Sequence, residues 1–190
     1  MKSLARPAPP VFLDEATPRA GAAPPIDQLY RECFDMVWRG LARLGVPAQH
    51  LDDAVQDVFL AAHRRAADFE GRSTPRSWVF GFAVNVARDH RRRLRTRACM
   101  EALEHDPPAD RSSQPDHLAA RSEAVALLDR ILDTLDDDRR SVFVMVEYEQ
   151  MTVPEVAAAL GVNVNTVYTR LRAARADFEG ALARYHRRSR

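Results

Sequence analysis

Between Thr152 and Arg175 the side chains able to bond to something outside the chain fall on one side of a helical repeat. Asn165, Thr166, Thr169, Arg170 and Arg172, with Arg175 a little further on, supply amides, hydroxyls and guanidinium groups, while Val167, Leu171, Ala174 and Phe178 recur at core spacing. Amides and guanidinium groups read base edges in a major groove, and the same guanidinium groups hold phosphates. The elements that must present them are short. Thr152 and Glu155 form a T-x-x-E capping box, Val156, Ala157 and Leu160 make an apolar face, Gly161 permits a tight turn and Asn163 suits an N-cap. The pattern predicts a helix-turn-helix whose second helix is polar and Arg-bearing. The plainer alternative is a helical hairpin with solvated arginines.

Two further groups have spacing that matters. Asp53, Gln56 and Asp57 stand at i, i+3 and i+4, which places them together on one face of a helix. Asn85, Arg88 and Arg92 fall on successive turns of another. An amide can bond to a base edge and guanidinium groups can hold a nucleic-acid backbone. Trp78 shares an apolar stripe with Phe82 and is expected in the core rather than as a stacking platform.

The 190-residue chain has a net charge of +1, which hides an uneven distribution. Arg88, Arg91, Arg92, Arg93, Arg95 and Arg97 crowd one stretch, and Glu101, Glu104, Asp106, Asp110 and Asp116 follow with only Arg111 against them. Residues 1–25 contain six prolines and no sustained apolar run, which predicts a disordered tail and neither a secretory signal nor an anchor. Cys33 and Cys99 are far apart and the six histidines are scattered, so neither a zinc site nor a disulfide framework is expected and the chain reads as cytosolic. No run is apolar enough for membrane insertion, and no glycine loop suits a phosphate.

The periodicity predicts only helices: about Ile26 to Leu44, His50 to Ala67, Pro75 to Arg95, Ser122 to Leu135, Arg139 to Glu149, Pro154 to Leu160 and Val164 to Tyr185. Leu29, Cys33, Val37, Leu41 and Leu44 match Leu51, Ala54, Val55, Val58, Phe59 and Ala62. A third helix, capped by Thr74 and opened by Pro75, adds Trp78, Val79, Phe82, Ala83 and Val86 to that core. Val125, Leu128, Ile131, Leu132 and Leu135, then Val142, Phe143 and Val146, open a second core that the helix-turn-helix completes. The expectation is an all-α protein of two small helical domains, 26–97 and 122–186, joined by a flexible acidic linker, 98–121, after a tail, 1–25. A few turns of helix from Met100 to His105 are compatible with the linker. Roughly 20 linker residues reach ~66 Å at full extension, enough for both units to touch one duplex about two turns apart.

These segments, taken together, resemble the extracytoplasmic-function (ECF) sigma factors, promoter-recognition subunits of bacterial RNA polymerase. LDDAVQDVFLAAHR at Leu51–Arg64 is similar to their polymerase-clamp helix and RSWVFGFAVNVARDHRRR at Arg76–Arg93 to their promoter-melting helix, both in region 2. LDDDRRSVFVMVEYEQMTVPEVAAALGV through NVNTVYTRLRAAR resembles region 4. The resemblance implies that Asp53, Gln56 and Asp57 engage core RNA polymerase and that Arg76, Asn85, Arg88 and Arg92 meet the minus-ten element of promoter DNA. Asn165, Thr166, Thr169, Arg170, Arg172 and Arg175 would then meet the minus-thirty-five element. It also implies that the acidic connector threads toward the polymerase active centre, and it admits an anti-sigma factor as a further partner that no residue here identifies. The chain departs from the family's usual pattern at Pro75, at Gly81 and Arg91, where an Arg and an aliphatic residue are common, and at Asn163, Asn165 and Tyr168.

The function expected is a cytoplasmic transcription initiation factor that binds core polymerase, recognises both promoter elements and promotes DNA opening, with no cofactor and no catalytic residue. A stand-alone dimeric helix-turn-helix regulator would account for the C-terminal unit only. An all-helical Mg-dependent nucleotide hydrolase would use Asp52, Asp53 and Asp57 as ligands, but no second carboxylate motif or phosphate cradle accompanies them.

Overall fold

The computed structural model describes residues 23–104 and 123–188. The expected N-terminal tail and most of the expected linker lie outside the described residues. Within them the chain forms seven α-helices and no strand: α1 Ile26–Arg43, α2 Leu51–Arg64, α3 Pro75–Glu104, α4 Glu123–Asp133, α5 Asp137–Phe143, α6 Val153–Leu160 and α7 Val164–Arg188. No described helix is long and apolar enough to cross a membrane.

The first three helices pack on one another as their apolar stripes require. Leu29, Cys33, Val37, Leu41 and Leu44 are buried against Leu51, Ala54, Val55, Val58, Phe59 and Ala62. Burial pushes the Cys33 thiol up to about 11, with Glu32 adding to the shift and Arg76 opposing it. Tyr30 bridges α1 and α2, its ring 4.8 Å from that of Phe59.

Helix α3 starts as expected, with the Ser77 N–H donating to Thr74 Oγ1 at 3.2 Å. Its buried stripe is turned by one residue from the expected one. Val79, Phe80, Ala83, Val84 and Ala87 are buried, whereas Trp78, Phe82 and Val86 are only partly covered. The rotation seats Phe80 on α1, where a Cβ built on Gly40 would lie 2.4 Å from its ring. Trp78 lies at the margin of the core, edge-on to Phe69 at 5.2 Å and to Phe82 at 4.9 Å. The helix also runs to Glu104, beyond the expected end at Arg95, since no Gly or Pro interrupts residues 96–104.

In the second half, α5 begins two residues before the expected Arg139 because Asp136 takes the N-cap, accepting from the Arg139 N–H at 2.8 Å. It does not continue as a plain α-helix to Glu149. Val144–Tyr148 form a π-helical turn, closed by Glu149 N–H to Val144 O at 3.1 Å and followed by Gln150 at φ 55°. The wider turn directs Glu149 inward, where it is buried.

Helices α4, α5 and α6 all pack on α7, and α6 also packs on α3. The two expected units therefore do not stand apart among the described residues. Phe80 and Val84 belong to the same buried cluster as Val142, Val156 and Leu171. Since Phe80 is wholly enclosed and Phe82 is not, Phe80→Ala is expected to cost about 3–5 kcal/mol and Phe82→Ala distinctly less. Denaturant midpoints followed by helix circular dichroism check the order; equal losses would contradict the rotated stripe.

Candidate nucleic-acid interface

The helix-turn-helix is built as its residue types dictate. At the start of α6, Thr152 N–H and Oγ1 donate to Glu155 Oε2 at 2.8 and 2.7 Å, and the Glu155 N–H returns to Thr152 Oγ1 at 3.4 Å. The bonds from the Thr152 backbone and side chain, with a further one from Thr74, hold the Glu155 carboxyl below the usual range. Gly161 closes the helix at φ 65°, a left-handed conformation that a side chain resists. Asn163 Oδ1 then accepts from the Asn165 N–H at 2.8 Å and α7 begins.

Along α7, Val167, Leu171 and Ala174 are buried and Phe178 stacks on Phe143 at 4.9 Å. Asn165, Thr169, Arg172 and Arg175 are exposed, and Thr166 is half-buried. Thr166 apart, these are the placements that the spacing predicts. Arg170 is different: it is half-buried and ion-paired with Asp138 at the start of α5. Arg175 is bridged to Glu147, Nη2 to Oε1 at 2.6 Å. The surface also carries apolar groups that the polar pattern passed over. Tyr168 is 57% exposed and Val164 is exposed one turn before it, so the helix can present carbon to a thymine methyl as well as donors to base edges. A large side chain between two outward polar positions was the signal available in the sequence.

The candidate residues of α3 divide into two sets. Asn85 and Arg92 face solvent, and Arg92 is bridged to Asp89 of its own helix at 3.1 Å. Arg88 and Arg76 are held by the other half of the chain, Arg88 Nη2 at 2.7 Å from Asp138 Oδ1 and Arg76 Nη2 at 3.3 Å from Glu149 Oε2. Arg91 and Arg95 both reach Asp137 at 2.9 Å. Burial lowers the Arg91 pKa most, and neighbouring Arg140 lowers it further against the pull of Asp137. Asn85 borders an open groove of about 600 Å³ between α3 and α6, lined also by Trp78, Phe82 and Ala158.

Asp53, Gln56 and Asp57 are all exposed on the outer face of α2, as their spacing predicts. The sequence pattern does not mark Arg140, which with Glu149 is a buried charged residue: it is 2% exposed, with Nε donating to Arg43 O at 2.5 Å and Nη1 to Asp133 at 2.6 Å. Within LDDDRRSVF it reads as one more solvated charge.

A polar recognition helix set behind a capped α6, together with a separate helical unit bearing a basic helix, defines a class of helical DNA-binding protein with two nucleic-acid surfaces. Comparison with known proteins narrows the class. Residues 29–97 match the family described as Sigma-70 region 2, and residues 126–178 match Sigma-70, region 4. The ECF RNA polymerase sigma factor SigM of Mycobacterium tuberculosis is 32% identical over 158 residues, 83% of this chain and 76% of that one. The RNA polymerase sigma factor NccH of Alcaligenes xylosoxydans xylosoxydans is 30% identical over 141 residues, 73% of this chain and 76% of that one. The solved structure of CnrH in complex with the cytosolic domain of CnrY aligns with a TM-score of 0.61 at 27% identity, covering 83% of this chain and 87% of that one. The chain belongs to the ECF sigma factors of RNA polymerase, and its function is transcription initiation.

The capping box makes the helix-turn-helix sensitive to acid. A carboxyl whose folded pKa is lowered contributes stability that is complete above its unfolded value, about 4.5, and lost as pH falls through the lowered folded value. Thr152→Ala is expected to cost about 1 kcal/mol at neutral pH. The gap in thermal midpoint between the parent and Glu155→Gln should be widest above pH 5 and close as pH drops towards 3; a gap independent of pH would show that the Glu155 charge is not what the cap uses.

Proposed function

We propose that the chain divides this work between two helical units, 26–97 and 122–186, which contain the matched segments 29–97 and 126–178, with specific surfaces for polymerase and DNA. Asp53, Gln56 and Asp57 form the polymerase-facing patch on α2. Arg76, Asn85, Arg88 and Arg92 on α3 serve the minus-ten element, and Asn165, Thr166, Thr169, Arg170, Arg172 and Arg175 on α7 serve the minus-thirty-five element. The chain acts in the cytoplasm by binding alone and performs no catalysis. The observation that carries this reading is the clean division of α7, where Val167, Leu171 and Ala174 bury one face and leave Asn165, Thr169 and Arg172 on the other. A stand-alone dimeric regulator would leave the first matched segment without a role.

A protein that captures the free factor is proposed as a further partner, since the related CnrH was solved in complex with the cytosolic domain of CnrY. The direct test of the whole reading is transcription in vitro with core polymerase on a promoter library. Productive templates sharing two motifs about two helical turns apart support it, and a single palindromic motif would refute it.

Residue-level outcomes follow from exposure. Asp53→Arg combined with Asp57→Arg should weaken core binding while leaving the thermal midpoint nearly unchanged, because both sites are exposed. Unaltered affinity in the folded double variant would remove the patch from the interface. Arg172→Ala should weaken upstream-element binding by about 1–3 kcal/mol if it reads a base, or lower the salt slope by about one if it holds a phosphate. Asn85→Ala should spare upstream binding and impair strand opening, read as permanganate reactivity of unpaired thymines. Equal opening by variant and parent would make Asn85 structural.

A further inference from the structure

We propose that Tyr168, with Val164 one turn before it, sets the base preference of α7 by covering the C5 methyl group of thymine in the major groove of the minus-thirty-five element. The inference rests on the assignment of α7 to that element and names the chemical group it reads there. In the major groove the bases offer hydrogen-bond donors, acceptors and, on thymine alone, a methyl group. Which of these a helix selects depends on the side chains left free on the first turns, the part that enters the groove.

Several of the polar groups on those turns are already engaged. Thr169 Oγ1 donates to the Asn165 carbonyl oxygen at 2.9 Å, which uses within the helix the hydrogen that would have met a base acceptor. Asn163 Oδ1 is taken by the Asn165 N–H at 2.8 Å. Thr166 is half-buried, and Arg170 is ion-paired with Asp138.

What stands open is largely carbon. Tyr168 is more exposed than any other large apolar side chain of α7, and Val164 is exposed as well. Four residues apart, they lie side by side along one edge of the outer face, with Asn165 next to Val164 and Arg172 one turn beyond Tyr168. The face of a tyrosine ring laid on a base edge gives a thymine methyl a partner. It gives none to the cytosine amino group or to a purine acceptor, so it selects by contact and by exclusion at once. Tyr168 and Val164 thereby supply preference, while Asn165 and Arg172 supply directional bonds to neighbouring bases or phosphates.

The test removes the methyl and nothing else. The probe is the promoter duplex recovered from the library transcription, with each thymine of its upstream element replaced in turn by deoxyuracil. Binding by the full chain on core polymerase is read as fluorescence anisotropy. At one or two positions the replacement should weaken binding by the parent about fourfold, the worth of one buried carbon group. Tyr168→Ala should weaken binding of the unmodified duplex by at least that factor, keep its thermal midpoint because the site is exposed, and no longer tell thymine from deoxyuracil at those positions. Tyr168→Phe, which restores the ring, should restore the preference. A parent indifferent to every replacement, or an element without A·T pairs, would overturn the proposal. So would a preference that survives when Val164→Ala and Tyr168→Ala are combined, or a Tyr168→Phe variant that loses as much as Tyr168→Ala. Arg172→Ala tells the two failures apart. If it still weakens binding of the duplex, the methyl reading alone has failed; if it binds as the parent does, the assignment of α7 has failed with it.

Discussion

A guanidinium group taken out of water must be given acceptors, and the arrangement of this chain follows from how Arg140 is supplied. Its Nε finds the carbonyl of Arg43, the last residue of α1, and its Nη1 finds Asp133, the last residue of α4. One side chain from α5 thus ties down the ends of two helices from different halves of the sequence. Removing an acceptor from a buried charge is costly, whereas the same arginine in solvent would be nearly indifferent to its neighbours. Asp133 keeps most of its own surface in water, so the pair holds its position without sealing both ions in the core. The adjoining Arg43 guanidinium lies over the Tyr148 ring at 4.7 Å and extends the tie into the π turn.

Helix α3 shows how one element can serve two surroundings. Its first half is apolar on a broad face, enclosed by α1 and α2 and flanked by α6, while its second half changes to arginines at the level where α5 begins with Asp136, Asp137 and Asp138. Those carboxylates favour the N-terminus of α5 and complement α3 at the same time. Neither role requires the other. Their coincidence in three residues gives the acidic run a meaning that a helix-capping argument alone leaves out.

What the sequence disclosed, and what it withheld, divides along the range of the determining interaction. The capping box at Thr152 and Glu155, the turn at Gly161 and the buried positions of α7 are decided within a few residues, so spacing reveals them. The cores of α1 and α2 are legible for the same reason. Phe80 was passed over because its seat is made by Gly40 of α1, some 40 residues earlier, where a Cβ would lie 2.4 Å from the ring. Arg140 was passed over because nothing local distinguishes a buried arginine from a solvated one. Ala157, on the apolar face expected of α6, is buried. The approach of Ala159 to Gly81 is a crossing that no short window contains. Among the candidate site residues, the exposed ones were readable from helical phase, whereas Arg76, Arg88 and Arg170 acquire their partners only through the fold.

The π turn at Val144–Tyr148 holds one residue more than an α-helical path over the same bonds would need. The turn absorbs that surplus. A single-residue deletion there would let the helix relax to regular winding, four residues covering the turn that five now close, and would leave Glu149 and the start of α6 near their present phase. The segment is thus a store of slack: it can give up one residue without re-aiming the recognition helix, whereas the same deletion in the regular turns of α5 would rotate everything beyond it by about 100°.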